Sequence, residues 1–256
     1  MLRAFAGGKL FGESYGSGSP WVLALHGWGR DHRDFNGVLG PRGFPYPDAV
    51  DAVAIDLPGF GATPPPSSAW STTDYAKCLE PLLEEMSEKI LLVGHSFGGR
   101  IAVRLAARCP EHFRGLVISG APLIRISKPT KPAFAYRTIK FLSSIGLLPE
   151  RSLEAARMRY GSMDYRMANG LMRTVLVGIL HESYEDDLEA LSLPVDLVWG
   201  SDDREVPVSI AMALQGVLGS ATLTICEGAG HLTPLEAPTC LREIIEKHRS
   251  TTSGDR

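Results

Sequence analysis

Short, almost wholly apolar runs alternate along this chain with segments whose apolar residues recur at three- and four-residue spacing. "WVLALHG", "AVDAVAIDLPG", "KILLVGH", "FRGLVISG", "PVDLVWG" and "ATLTICE" are of the first kind and predict strands, and "KLFGESYG" reads as a further strand running into a Gly/Ser turn. "STTDYAKCLEPLLEEM", "GGRIAVRLAARCP", "SIAMALQGVL" and "PTCLREIIEKHR" are of the second kind and predict helices. The first of these helices opens on a capping-type start and the second closes at Pro110. Strands without polar alternation are buried on both faces, so the pattern predicts an α/β fold: a mostly parallel central sheet with helices on both sides.

The rhythm breaks between Ala121 and Leu191. That stretch has no strand pattern, only the helical segments "PAFAYRTIKFLSSIG", "ERSLEAARMRY" and "YRMANGLMRTVLVGILHESYED", separated by Pro and Gly. We therefore expect one core built from residues 1–120 and 192–250, a helical cap insertion at 121–191 and a flexible tail at 251–256.

Composition narrows the class. With 256 residues, 44% hydrophobic and 21% charged, the chain can bury a sizeable core. A net charge of -3 gives no electrostatic case for a nucleic-acid partner. No apolar run approaches the ~20 residues of a membrane span, and the start "MLRAFAGGKLFGESYG" has no apolar signal region. Cys78, Cys109, Cys226 and Cys240 form no CxxC pair, which predicts reduced, mostly buried thiols in a cytoplasmic protein.

The candidate chemistry begins at Gly94-His95-Ser96-Phe97-Gly98, which fits G-x-S-x-G with a strand before and a helix after. Glycines at both ends let the backbone turn sharply and leave Ser96 exposed at the strand's end. A serine hydroxyl needs a base to take its proton. His231 is the best placed, in the Gly-rich loop "EGAGHLTPLE" after the last predicted strand. His248 on the terminal helix and His112 beside a turn read as solvated, while His26 and His95 read as loop supports. To orient the base, "WGSDDREVP" offers Asp203, with Asp202 as the fallback. Developing negative charge would be met by the amide of Phe97 and by that of Trp28 in "HGWG". Asp56 in "DLPGFG" reads as a turn-stabilising acid.

Together "HGWG", "DLPGFG", "GHSFGG", "WGSDDREVP" and "GAGHLTPLE" resemble the α/β-hydrolase superfamily, on both sides of the insertion. The resemblance implies the α/β-hydrolase fold, Ser96 as nucleophile, His231 as base, Asp203 as orienting acid, Trp28 and Phe97 as oxyanion-hole donors, and neither metal nor organic cofactor. Dehalogenases and epoxide hydrolases of this fold carry an aspartate where Ser96 stands. Carbon–carbon hydrolases carry a tryptophan where Leu232 follows the base. The expectation is thus a carboxylesterase-like serine hydrolase that cleaves a small-molecule ester or thioester through an acyl-enzyme. Alternatives are a carbon–carbon hydrolase or perhydrolase using the same residues, and a receptor-like binding protein.

Two features of the insertion stay open at this level. Arg125, Lys128, Lys131, Arg137, Lys140, Arg151, Arg157 and Arg159 suit a solvated helix face or, alternatively, an anionic or carrier-linked acyl substrate. Met158, Met163, Met167 and Met172 suit core packing or an adaptable acyl pocket.

Overall fold

The computed structural model describes residues 2–42, 45–124, 143, 145, 149, 151, 152, 154 and 163–250. Its strands are β1 (Leu2–Phe5), β2 (Leu10–Tyr15), β3 (Val22–Leu25), β4 (Ala52–Asp56), β5 (Ile90–His95), β6 (Phe113–Ser119), β7 (Val195–Gly200) and β8 (Thr222–Cys226). They form an eight-stranded sheet in the order β1-β2-β4-β3-β5-β6-β7-β8. The β1–β2 and β2–β4 pairs are antiparallel and the other pairs are parallel.

The helices are α1 (Asn36–Leu39), α2 (Thr72–Leu83), α3 (Phe97–Arg108), α4 (Met163–Met167), α5 (Gly170–Ile179), α6 (Glu185–Ala190), α7 (Val208–Leu218), α8 (Thr233–Glu236) and α9 (Pro238–Ser250). Alternate strand residues face opposite ways, yet both sets are apolar because helices cover both faces. Leu23, Leu25, Ile90 and Leu92 pack with α2, α3 and α7, whereas Val22, Ala24, Leu91 and Val93 pack with α1 and α9. The capping-type start of α2 is a reciprocal capping box between Ser71 and Asp74.

The structure corrects the reading of several segments. β1 is mostly exposed at the sheet edge and carries no apolar run to betray it. α1 and α8 have four residues each, too few for a helical period to register. The expected helical stretch from Tyr165 to Asp186 is divided among α4, α5 and α6, with Gly170, the first residue of α5, at φ 46°. The two other expected insertion helices lie outside the described residues, apart from isolated positions, and so does the tail at 251–256.

Arg100 and Arg104 of α3 tie the end of the insertion to the core. Arg100 Nη1 donates to the Ile179 carbonyl at 3.1 Å and Arg104 Nη2 to the Ser183 carbonyl at 2.8 Å. Arg104 also pairs with Asp187, and its guanidinium lies 4.7 Å from the Tyr184 ring centroid.

The thiol expectation fails for half of the cysteines. Cys226 at the end of β8 and Cys240 in α9 form a disulfide, while Cys78 and Cys109 are free. Fourteen positions separate the bonded pair, and a ring without a CxxC spacing left no sequence signal. His248 is not a solvated side chain either, since its Nε2 lies 2.7 Å from Asp196 Oδ2. His112 sits half-buried beside Glu84 and Glu111. Among the described residues no helix is long and apolar enough to cross a membrane.

Candidate active site

β5 lies in mid-sheet between β3 and β6, and its last residue hands directly to Ser96 and α3. Ser96 adopts φ 50°, ψ −108°, a conformation that L-residues rarely occupy and that costs roughly 1–3 kcal/mol. Its neighbours hold it there. Ser96 N–H donates to the Ser119 carbonyl at 2.7 Å, and Gly98 N–H donates to the His26 carbonyl at 3.0 Å. A Cβ on Gly98 would come within 2.2 Å of the Leu25 carbonyl oxygen, and one on Gly94 within 2.7 Å of the Gly98 carbonyl oxygen. Both glycines are therefore demanded by close backbone approach, and the turn is fixed by sterics.

His231 stands across from this turn, in the loop between β8 and α8. Its Nε2 lies 3.1 Å from Ser96 Oγ and its Nδ1 lies 2.9 Å from Asp203 Oδ2. A carboxylate can only accept, so Nδ1 carries the proton and Nε2 is left free to accept from the serine hydroxyl. Asp203 is buried, and its other oxygen accepts the backbone N–H groups of Glu205 at 2.9 Å and Val206 at 2.8 Å. Asp202, the fallback, is exposed and bonds Ser201 instead. The structure thus brings Ser96, His231 and Asp203 into one hydrogen-bonded line.

Burial works against a charged His231 ring. The hydrogen bond and charge of Asp203, joined by the charges of Glu205 and Asp164, outweigh it and raise the pKa above the ordinary 6.5. Glu205 was not anticipated from sequence; its Oε2 lies 3.7 Å from His231 Nε2. Asp164 of α4 is likewise a newcomer, its own carboxyl raised by burial and by Glu205. Glu205 lies within "WGSDDREVP", but nothing in that motif marks it as facing the imidazole, and Asp164 lies far off in the insertion with no motif to flag it.

Trp28 and Phe97 also come together. Their rings lie 5.1 Å apart, and each also packs edge-on against Phe60. Phe97 is the first residue of α3, so its N–H has no acceptor within the helix. Among the described residues, neither the Phe97 nor the Trp28 amide donates to a backbone acceptor. Met172, in the described part of the insertion, lies against Gly59, the residue before Phe60: its Sδ would lie 2.5 Å from a Cβ on that glycine. Met167 is exposed rather than in a core, and Met158 lies outside the described residues.

Of the remaining motif residues, His26 and Asp56 hold loops in place, whereas the ring of His95, expected to support a loop, makes no hydrogen bond among the described residues that would do so. His26 Nδ1 donates to the Gly27 carbonyl at 2.7 Å and its Nε2 accepts the Leu57 N–H at 3.0 Å. His95 is buried with neither ring nitrogen hydrogen-bonded among the described residues, 5.1 Å from the His231 ring. Burial, and then the His231 charge, push its pKa down to about 3, so it stays neutral. Asp56 ties the loops after β3 and β4, accepting from His32 N–H and Nδ1 and from Ala62 N–H. Asp31, His32 and Asp56 bring ligand-type atoms within 4.8 Å of one another. Asp31 and Asp56 already accept protein donors, with Asp31 lowered to about 2 by its Arg33 bond, so nothing in the trio calls for a metal.

Residues 22–239 match the Alpha/beta hydrolase family, so the chain belongs to that family. It is 30% identical over 251 residues to the biotin biosynthesis bifunctional protein BioHC of Teredinibacter turnerae, covering 88% of this chain and 43% of that protein. The chain spans about half the length, or less, of the bifunctional biotin-synthesis relatives it matches. It is 26% identical over 261 residues to the 2-hydroxy-6-oxononadienedioate/2-hydroxy-6-oxononatrienedioate hydrolase of Cupriavidus pinatubonensis, covering 90% and 86% of the two chains. A thermophilic esterase from Thermogutta terrifontis shares the fold, with TM-score 0.68, 20% identity and 98% of each chain covered. Family and relatives point to a hydrolase.

Proposed function

We propose that this chain is a serine hydrolase that cleaves a carboxylic ester or thioester through an acyl-enzyme. The observation that carries the reading is the line Ser96–His231–Asp203, with the serine held at positive φ on the turn after β5. Ser96 Oγ attacks the carbonyl carbon while His231 Nε2 takes its proton. The oxygen that becomes negative is met by the amides of Phe97 and Trp28. His231 then gives the proton to the leaving alcohol or thiol, and Asp203 steadies the imidazolium between the two transfers. Water, deprotonated by the same nitrogen, releases the acid and restores Ser96.

The aromatic cluster of Trp28, Phe60 and Phe97 favours an apolar acyl group. Glu205 and Asp164, the acids that bear on His231, favour a neutral substrate over an anionic one. The basic residues that suggested an anionic or carrier-linked substrate lie outside the described residues, except for exposed Arg151. A cytoplasmic location is not part of the proposal, because the Cys226–Cys240 bond removes the reduced-thiol argument for it.

Ser96→Ala should abolish labelling by a fluorophosphonate probe and lower turnover of short p-nitrophenyl esters by more than about 10³-fold. Undiminished labelling of that variant refutes the assignment. The second reading, carbon–carbon cleavage, is favoured by similarity to the Cupriavidus enzyme. Turnover of vinylogous diketones with no turnover across an ester series would select it.

A further inference from the structure

His231 projects from a short connection that has little regular structure of its own. Between the end of β8 at Cys226 and the start of α9 at Pro238, the only regular element is the single turn of α8. A loop of that kind would let the imidazole wander, and a displacement of about 1 Å at a reacting group can cost ~10²-fold in rate. Something must hold the residue to the distances seen.

One side chain does so from both sides. Glu236 Oε2 accepts the Gly230 N–H at 2.7 Å, and Glu236 Oε1 accepts the Leu232 N–H at 3.1 Å. These are the two amides that bracket His231. The turn of α8 returns Glu236 to this place, since Leu235 N–H and Glu236 N–H both donate to the Leu232 carbonyl at 2.9 Å. The His231 carbonyl accepts from Thr233 N–H at 2.8 Å. Glu236 itself is exposed, so it contributes no buried core surface. Bonds from backbone N–H groups to an ionised carboxylate are among the stronger hydrogen bonds.

We infer that Glu236 is a positioning residue, a carboxylate splint that fixes the backbone on either side of His231 and thereby the distance from Nε2 to Ser96 Oγ. The inference rests on the reading of Ser96 and His231 as nucleophile and base. The Glu236 carboxylate is hydrogen-bonded to the two flanking amides and to neither the serine nor the imidazole ring, so its removal should slow acylation and leave substrate binding alone. Glutamine in its place keeps one acceptor oxygen but turns an NH₂ toward an N–H donor, so it should restore only part of the effect.

The test compares wild type, Glu236→Ala and Glu236→Gln on p-nitrophenyl butyrate, with kcat expressed per site titrated by a fluorophosphonate. Expected is a 10- to 100-fold fall in kcat for Glu236→Ala, KM within about twofold, and an intermediate kcat for Glu236→Gln. Counting only titrated sites removes any fraction that fails to fold. The low-field Nδ1 proton of His231, followed by NMR, should broaden or vanish in Glu236→Ala. Unchanged kcat per site together with an unchanged Nδ1 proton overturns the inference, as does a loss carried wholly by KM. If wild type neither labels nor turns over, the hydrolase reading fails, and the Nδ1 proton alone decides whether Glu236 positions the ring.

Discussion

Ser96 and His231 meet at 3.1 Å, but the two sides of that contact are built by opposite means. On the serine side the backbone alone does the work: a buried strand, a turn at φ 50° and glycines whose Cβ positions are occupied by neighbouring backbone. On the histidine side the chain is loosely structured and is fastened by side chains, namely Asp203 at the ring, Glu236 at the flanking amides and the Cys226–Cys240 bond at the ends. A side chain can thus be held rigidly by local sterics or by a few long-range ties, and the two should fail differently.

The largest contrast lies in the glycines. Gly98→Ala drives a methyl to 2.2 Å from the Leu25 carbonyl oxygen. Since that oxygen belongs to the mid-sheet strand β3, the loss should exceed about 3 kcal/mol, and soluble, cooperatively melting protein should be hard to obtain. A Gly98→Ala variant that melts like wild type would mean the elbow is not locked by sterics.

The pH dependence separates the two sides next, because only the histidine side titrates. On the proposed reading His231 must be neutral to accept the serine proton, and its pKa is raised above 6.5. Hence kcat/KM should be full above that pKa and fall about tenfold per pH unit below it, with a midpoint above 6.5. Glu205→Gln removes one of the raising charges and should move the midpoint down. A midpoint at or below 6.5 in wild type would contradict the electrostatics described for the site.

The smallest effect is expected at Gly230. A Cβ there lies 2.9 Å from Glu236 Oε2, the far end of an exposed side chain that can shift, and Gly230 is not at positive φ. Gly230→Ala should therefore cost less than about 1 kcal/mol in stability by thermal melting. Any loss of kcat should be a few-fold and should vanish when Glu236→Ala is already present.

The same contrast explains what could be read from the sequence. The elbow was legible because its cause is local: an apolar strand, then glycines at fixed offsets around a serine. Strand and helix alternation was legible on both sides of the insertion for a similar reason, since burial on both faces leaves continuous apolar runs. The ties to the histidine loop were not. Cys226–Cys240, Glu205 and Asp164 depend on where distant segments land, and β1 is an exposed edge strand with no apolar run. Glu236 lay within a quoted motif, yet its role appears only once α8 folds the carboxylate back on the loop. His248 was misread because its partner Asp196 comes from β7, 52 positions away.

The spacing of the proposed reacting groups along the chain has a temporal consequence. Ser96 and His231 are 135 positions apart, with Asp203 between them. At ordinary synthesis rates a ribosome finishes the serine turn roughly 7–27 s before it adds the histidine. On the proposed reading, the growing chain carries its nucleophile without a base during that interval, and the hydroxyl is chemically idle. On that reading hydrolysis could begin only after β8 has joined the sheet edge and His231 has been added, so turnover would report a late stage of folding, and a translation arrest anywhere before His231 would release an inert product.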